Sequence, residues 1–120
     1  MASPKVLICD DEEGIRESLK LILEDHYDLI LTEDGEQCLK TIEKAKDIGA
    51  VLIDIKMPMV DGLTILKQIK EKRPKLPVIV VTGYKSVETA AEASKLGACG
   101  YIVKPFKSEE ILKTVKDILR

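Results

Sequence analysis

The chain has 120 residues, the size of one ordinary domain, and 45% of them are hydrophobic, which suffices for a single packed core. The net charge is −2 with acids and bases interspersed, so no direct nucleic-acid partner is expected. No apolar run approaches the ~18 residues of a membrane span, and MASPKVLICDD is too polar for a signal peptide, so we expect a cytoplasmic protein without a membrane partner.

Five apolar segments predict buried strands, and each is followed by a segment with helical periodicity. In chain order, the predicted strands are Lys5–Cys9, Asp28–Leu31, Ala50–Ile53, Pro77–Val81 and Cys99–Val103. The first predicted helix has Ile15, Leu19, Ile22 and Leu23 on one face, and the second covers Glu36–Lys46. The third contains Leu63, Leu66 and Ile69 and ends at Arg73. The fourth covers Val87–Leu96, and the last is capped by Ser108.

The predicted strands are apolar throughout rather than alternating, which means that both faces of the sheet must be covered. Since a helix separates each strand from the next, we expect an α/β fold with one doubly wound parallel sheet and helices on both faces. Ligands of such sheets bind at the carboxyl ends of the strands. The residues that follow the strands are therefore the candidate site.

Polar residues follow four of the five strands. They are Asp10, Asp11 and Glu12 after the first strand, Asp54 after the third, Thr82 after the fourth and Lys104 after the fifth. Carboxylates gathered at one edge repel each other, and a hard divalent cation such as Mg²⁺ relieves that repulsion. A carboxylate is also a nucleophile toward phosphorus, and a lysine and a hydroxyl can hold the oxygens of a transferred phosphoryl group.

These residues, with the MPMVDG loop and Lys104-Pro105-Phe106, resemble the receiver domain of two-component response regulators over the whole chain, 1–120. The resemblance implies a flavodoxin-like strand order, 2-1-3-4-5, and a signalling switch that takes a phosphoryl group from a sensor histidine kinase. It implies that Asp54 is the phosphoacceptor. Asp11 would bind Mg²⁺ directly, with Mn²⁺ as a possible substitute, Asp10 would bind it through water, and the main-chain carbonyl of Lys56 would complete the ligands. Glu12 is left out of the metal set.

The resemblance also implies roles around the acceptor. Lys104, joined to Pro105 by a cis peptide, would pair with the acceptor and then with the phosphoryl group. Thr82 would move toward that group, and Tyr101 would turn inward into the space that Thr82 leaves. Lys56 and Tyr84, each two residues past a site residue, would flank the phosphoryl group and slow its hydrolysis. The phosphorylated lifetime would then exceed that of the fastest members.

The resemblance leaves the partners general. We expect the donor kinase to dock near the first helix, with Ile15 and Leu19 as candidate contacts. The helix Val87–Leu96 and the last strand are expected to move, and the last helix and strand form a possible surface for an output domain or a downstream protein. The sequence leaves open whether residues 1–120 are a complete regulator or the start of a longer one, and whether it is a monomer or a phosphorylation-dependent dimer.

Three other functions share parts of the pattern. A Mg²⁺-dependent phosphohydrolase of the haloacid-dehalogenase type also uses an aspartate nucleophile, but it carries a second acid where this chain has Lys56, and it needs a cap domain. A flavodoxin-like FMN binder would meet repulsion between its phosphate and the acids after the first strand. A receiver-like protein-binding module that is never phosphorylated would not need the complete acid set. The interpretation is a phosphoacceptor that is not an enzyme and that dephosphorylates itself slowly.

Overall fold

The structure is a computed structural model that describes residues 4–57 and 60–119. Its main elements, in chain order, are β1 (Lys5–Cys9), α1 (Glu13–Leu23), β2 (Asp28–Thr32), α2 (Gly35–Lys44), β3 (Ile48–Ile53), α3 (Gly62–Lys72), β4 (Val78–Thr82), α4 (Val87–Lys95), β5 (Gly100–Val103) and α5 (Ser108–Leu119). The strands pair in parallel in the order β2-β1-β3-β4-β5, which confirms the predicted fold class and strand order.

Two apolar layers explain why the central strands lack an alternating pattern. Successive side chains of a strand point to opposite faces of the sheet. Leu7 of β1 therefore belongs to one core cluster and Ile8 to the other, and both are fully buried. Helices α2, α3 and α4 cover the first layer, while α1 and α5 cover the second. An apolar side chain is needed at every position because each face of the sheet is covered by helices.

The helix and strand boundaries differ from the predicted ones at a few places. Helix α2 ends at Lys44 rather than Lys46, because Ala45 adopts an extended conformation after its N–H bonds to the Thr41 carbonyl. Strand β3 begins at Ile48, and Lys5 of β1 pairs with it across a register shift. Ser108 is the first residue of α5 and not its cap, since the helical bonds start from the carbonyl of Lys107.

The segment after β3 places the start of α3 against the site. Lys56–Met57 and Val60–Asp61 form a short antiparallel pair, while Pro58 and Met59 of the predicted MPMVDG loop lie outside the described residues. A Cβ at Gly62 would lie 2.2 Å from the Cα of Ile55, so only glycine permits this close approach of α3. Among the described residues, none of the helices is long and apolar enough to cross a membrane.

Candidate functional site

The acidic residues predicted at the strand ends meet at one point. Cys9 and Ile53 are paired in the neighbouring strands β1 and β3, and the N–H of Asp54 donates to the Cys9 carbonyl at 3.0 Å. The residues that follow the two strands therefore emerge side by side. One carboxylate oxygen from each of Asp10, Asp11, Glu12 and Asp54 lies within 4.8 Å of the others. The cluster contains the predicted acids and also Glu12.

The four acids lie at different depths. Asp10 is 1% exposed and Asp54 is 2% exposed, whereas Asp11 and Glu12 face solvent. Burial raises the pKa of Asp10, and the hydrogen bonds that it accepts from Lys104 and from the Glu12 N–H offset only part of that rise. The site thus combines two buried carboxylates with two exposed ones. The negative charge of the buried pair is energetically unfavourable unless a cation lies nearby.

Lys104 provides the cation that reaches both buried acids. Its Nζ lies 2.8 Å from Asp10 Oδ2, 2.8 Å from Asp54 Oδ2 and 3.2 Å from Glu12 Oε1. Burial of the ammonium disfavours its charged form, but its bonds to Asp10 and Asp54 outweigh that effect and raise the pKa of Lys104. The Lys104–Pro105 peptide is cis, as the resemblance implied, and the Lys104 N–H donates to the Thr82 carbonyl at 2.9 Å. Lys104 stays charged and directed into the site.

Lys56 lies beside the mouth of the site. Its N–H donates to Asp54 Oδ1 at 2.8 Å, so both oxygens of Asp54 accept a hydrogen bond. Its side chain is exposed, and its Nζ lies 5.3 Å from the centre of the Tyr84 ring. This distance is within the range of a cation–π interaction. The role of the Lys56 carbonyl as a metal ligand stays a prediction.

Thr82 and Tyr101 both contact the backbone of Tyr84. The fully buried Thr82 ends β4, and its Oγ1 accepts a long hydrogen bond, 3.5 Å, from the Tyr84 N–H. The Tyr101 hydroxyl donates to the Tyr84 carbonyl at 2.9 Å. Burial and the nearby Asp54 and Tyr84 raise the pKa of Tyr101. The two predicted switch residues are therefore linked through one residue of the β4–α4 segment.

Two contacts of this site were missed by the sequence interpretation. Glu12 was left out, yet it shares the Lys104 ammonium with Asp10 and Asp54. Arg16 of α1 was not considered, and its Nη1 donates to the Asp10 carbonyl at 2.8 Å. The suggestion that Leu19 contacts a kinase was wrong, because Leu19 is 1% exposed; Ile15 is half-buried.

The ligand set of the cluster suits a hard divalent cation. It offers only carboxylate oxygens, two of them in reach of solvent, and Mg²⁺ prefers such oxygens together with retained water. The described residues of the cluster include no thiol or imidazole, which softer metals prefer.

The chain matches a known protein family along most of its length. The family model for the response regulator receiver domain matches residues 6–116. An NtrX-like response regulator of Rickettsia typhi is 38% identical over 119 residues, which are 97% of this chain and 25% of that protein. The regulator PhoP of Bacillus subtilis, named for alkaline phosphatase synthesis, is 35% identical over 117 residues, 97% of this chain and 48% of that protein.

The structural comparison agrees with the sequence matches. A CheY-like receiver domain protein of Methanospirillum hungatei superposes with a TM-score of 0.93 at 33% identity, covering 98% of this chain and 94% of that one. This chain thus spans nearly the full length of that solved structure. It spans about a quarter of the Rickettsia relative and about half of the Bacillus relative.

Proposed function

Because the chain belongs to the response regulator receiver family, whose members are phosphoryl-accepting signalling switches, we propose that Asp54 is the residue that accepts the phosphoryl group. One observation carries this proposal: Asp54 is a buried carboxylate at a strand end, bonded to Lys104 at 2.8 Å inside a cluster of four acids. Asp10 is also buried and accepts the same two kinds of hydrogen bond, from the N–H two residues on and from Lys104, so these bonds do not separate the two acids. The position of Asp54 after β3, where the family resemblance puts the acceptor, favours Asp54.

The acid cluster would hold a Mg²⁺ ion during phosphorylation. Asp11 and Asp54 would hold Mg²⁺ directly with the Lys56 carbonyl, and Asp10 would hold it through water; Mn²⁺ is a substitute with similar oxygen preference. The bound ion would neutralise charge on the phosphoryl oxygens. The mixed burial supports this assignment, because solvated Asp11 can receive a hydrated ion while buried Asp10 and Asp54 orient it. Glu12 sits beside the ion's place and adds negative charge.

The transfer itself needs little from the protein beyond placement and charge. An oxygen of Asp54 forms a bond to phosphorus as the bond from phosphorus to the donor histidine nitrogen breaks, and the histidine leaves with the electron pair. Lys104 moves from the carboxylate to a phosphoryl oxygen, and its raised pKa keeps it charged while it does so. The Thr82 hydroxyl donates a hydrogen bond to another phosphoryl oxygen.

The signal would leave the site through the β4–α4 segment. When Thr82 turns to the phosphoryl group, it breaks the hydrogen bond that its Oγ1 accepts from the Tyr84 N–H. This bond is weak, since its length is 3.5 Å. Tyr101 is tied to the carbonyl of the same residue and would shift with it. Helix α4 follows directly, and it is weakly anchored, with Ala93 buried but Val87 82% exposed. We therefore assign α4, β5 and α5 as the face read by an output domain or a downstream protein.

The donor would be a sensor histidine kinase, and the chain would act in the cytoplasm. Water removes the phosphoryl group slowly, since Lys56 and Tyr84 flank the mouth. Residues 1–120 form the receiver unit, as the family match over residues 6–116 supports.

Mass spectrometry after incubation with acetyl phosphate and Mg²⁺ tests the proposal. The wild type should gain one phosphoryl group, Asp54→Ala should gain none, and the control Asp25→Ala, which changes an exposed acid outside the site, should behave like the wild type. Removal of Mg²⁺ with EDTA should abolish the gain. A wild type without an adduct would favour the protein-binding module that is never phosphorylated. Rapid, steady release of phosphate would favour the hydrolase.

A further inference from the structure

The peptide that joins Asp10 to Asp11 leaves the sheet at the centre of the site. The N–H of Asp10 still donates to the Thr32 carbonyl of β2 at 3.1 Å, and the Asp54 N–H uses the preceding carbonyl, that of Cys9. The Asp10 carbonyl follows the last carbonyl of β1, that of Cys9, and Asp10 is only 1% exposed. A buried carbonyl at this point needs a donor from another element.

Arg16 is that donor. Its Nη1 lies 2.8 Å from the Asp10 carbonyl oxygen, and its side chain is only 16% exposed. Side chains of a helix lean toward its N-terminus, so a long residue in the second turn of α1 reaches back to the end of β1. The other guanidinium nitrogen, Nη2, lies 3.7 Å from Glu33 Oε2 in the β2–α2 connection. Arg16 thus spans three elements that meet at the acid cluster.

We propose that Arg16 is a positioning residue for the metal and phosphoacceptor site, which it serves by holding the peptide between Asp10 and Asp11. The inference rests on the proposed function, since it concerns the same site. A peptide unit is planar, so a fixed carbonyl also fixes the direction in which the chain enters Asp11. Asp11 is exposed, and its carboxylate is therefore placed by its backbone more than by packing.

The shape of the side chain explains why arginine suits this position. A guanidinium is a rigid planar fork with several donors, so it can hold the Asp10 carbonyl while a second nitrogen faces Glu33. A lysine carries one nitrogen and cannot reproduce both directions. Groups that orient metal ligands from behind typically alter metal affinity by about 10- to 100-fold when they are changed. Arg16 acts through the main chain, so we expect the lower end, about tenfold.

The test is the Mg²⁺ dissociation constant of the full chain, measured by calorimetry at fixed ionic strength. Arg16→Gln and Arg16→Lys should both bind Mg²⁺ about tenfold more weakly than the wild type. Glu33→Gln removes the charge of residue 33 but keeps a side-chain oxygen facing Nη2, so the guanidinium keeps its orientation and the Mg²⁺ affinity should stay within about twofold. Phosphorylation by acetyl phosphate should return to near the wild-type extent when Mg²⁺ is raised to saturation, which a general loss of folding would not allow.

The two arginine variants separate position from charge. If Arg16 acted only as a positive charge near the acids, Arg16→Gln would bind Mg²⁺ more tightly and Arg16→Lys would equal the wild type. Either result would overturn the inference, as would wild-type affinity in both variants. If Arg16→Gln does not fold, Arg16→Lys decides alone.

Asp11→Asn separates this inference from the proposed function. A wild type that does not bind Mg²⁺, or an Asp11→Asn variant that binds it normally, contradicts the metal site itself. A wild type that binds and an Asp11→Asn variant that does not, together with unchanged Arg16 variants, contradicts only the role of Arg16.

Discussion

The pair formed by Lys56 and Tyr84 makes the phosphorylated lifetime the most informative quantity to measure. Tyr84→Ala removes the ring over which the Lys56 ammonium lies at 5.3 Å, while the backbone that bonds to Thr82 and Tyr101 remains. Tyr84 is 42% exposed, so the interaction contributes about 0.5–1 kcal/mol. That energy corresponds to about a two- to fivefold change in the ratio of conformations in which Lys56 screens Asp54 to those in which it does not. We therefore expect dephosphorylation to be about two- to fivefold faster.

The assay follows the phosphorylated mass after the donor is removed, at constant Mg²⁺ and pH. Tyr84→Phe keeps the ring and serves as the matched control, with an expected decay rate equal to that of the wild type. Lys56→Met removes the other partner of the same contact, the ammonium. The increases in decay rate caused by Lys56→Met and by Tyr84→Ala should therefore not add in the double variant. The reasoning is refuted if Tyr84→Ala decays at the wild-type rate, or if the two effects add fully.

Three further predictions concern the stability of the metal-free protein, measured by urea unfolding in EDTA. Burial raises the pKa of Asp10 above its ordinary 3.8, so the folded protein takes up this proton before the unfolded chain does as the pH falls. Asp10→Asn should therefore be more stable than the wild type at pH ~7, and the difference should shrink as the pH approaches 4. Lys104→Met should lose about 3 kcal/mol, because it leaves two buried carboxylates without their cation. Gly62→Ala should lose about 1–3 kcal/mol through its clash with Ile55, whereas Gly14→Ala, where a Cβ meets nothing within 4 Å, should not lose stability.

Each of these has an outcome that would contradict it. For Asp10→Asn, the prediction is contradicted if the stability difference between the variant and the wild type grows as the pH falls. For Lys104→Met, a loss below about 1 kcal/mol would mean that water already solvates the two carboxylates. For Gly62→Ala, a loss no larger than that of Gly14→Ala would mean that α3 is not held tightly against the segment after Asp54.

The elements and the main chemical groups were readable from the sequence because both depend on local patterns. Uninterrupted apolar strands such as β4 require cover on both faces, and a helix between successive strands requires parallel pairing. Parallel pairing in turn brings the ends of β1, β3 and β5 to one edge, so Asp54 and Lys104 could be expected to meet although they are 50 residues apart. The ends of α2 and α5 were less predictable, since they depend on single hydrogen bonds at Ala45 and Lys107.

What the tertiary structure decided is which atoms touch within that edge. The sequence placed Glu12 next to two acids but could not show that it shares the Lys104 ammonium, and it gave Arg16 no partner. Those contacts depend on where α1 packs relative to the end of β1 and on which acids the Lys104 side chain reaches. Periodicity determines which face of an element is buried, whereas the direction of an exposed or half-buried polar side chain is set by neighbours from distant parts of the chain. Asp54 could therefore be named as the candidate acceptor from its position in the sequence, whereas the hydrogen bonds that orient its carboxylate follow only from the packed fold.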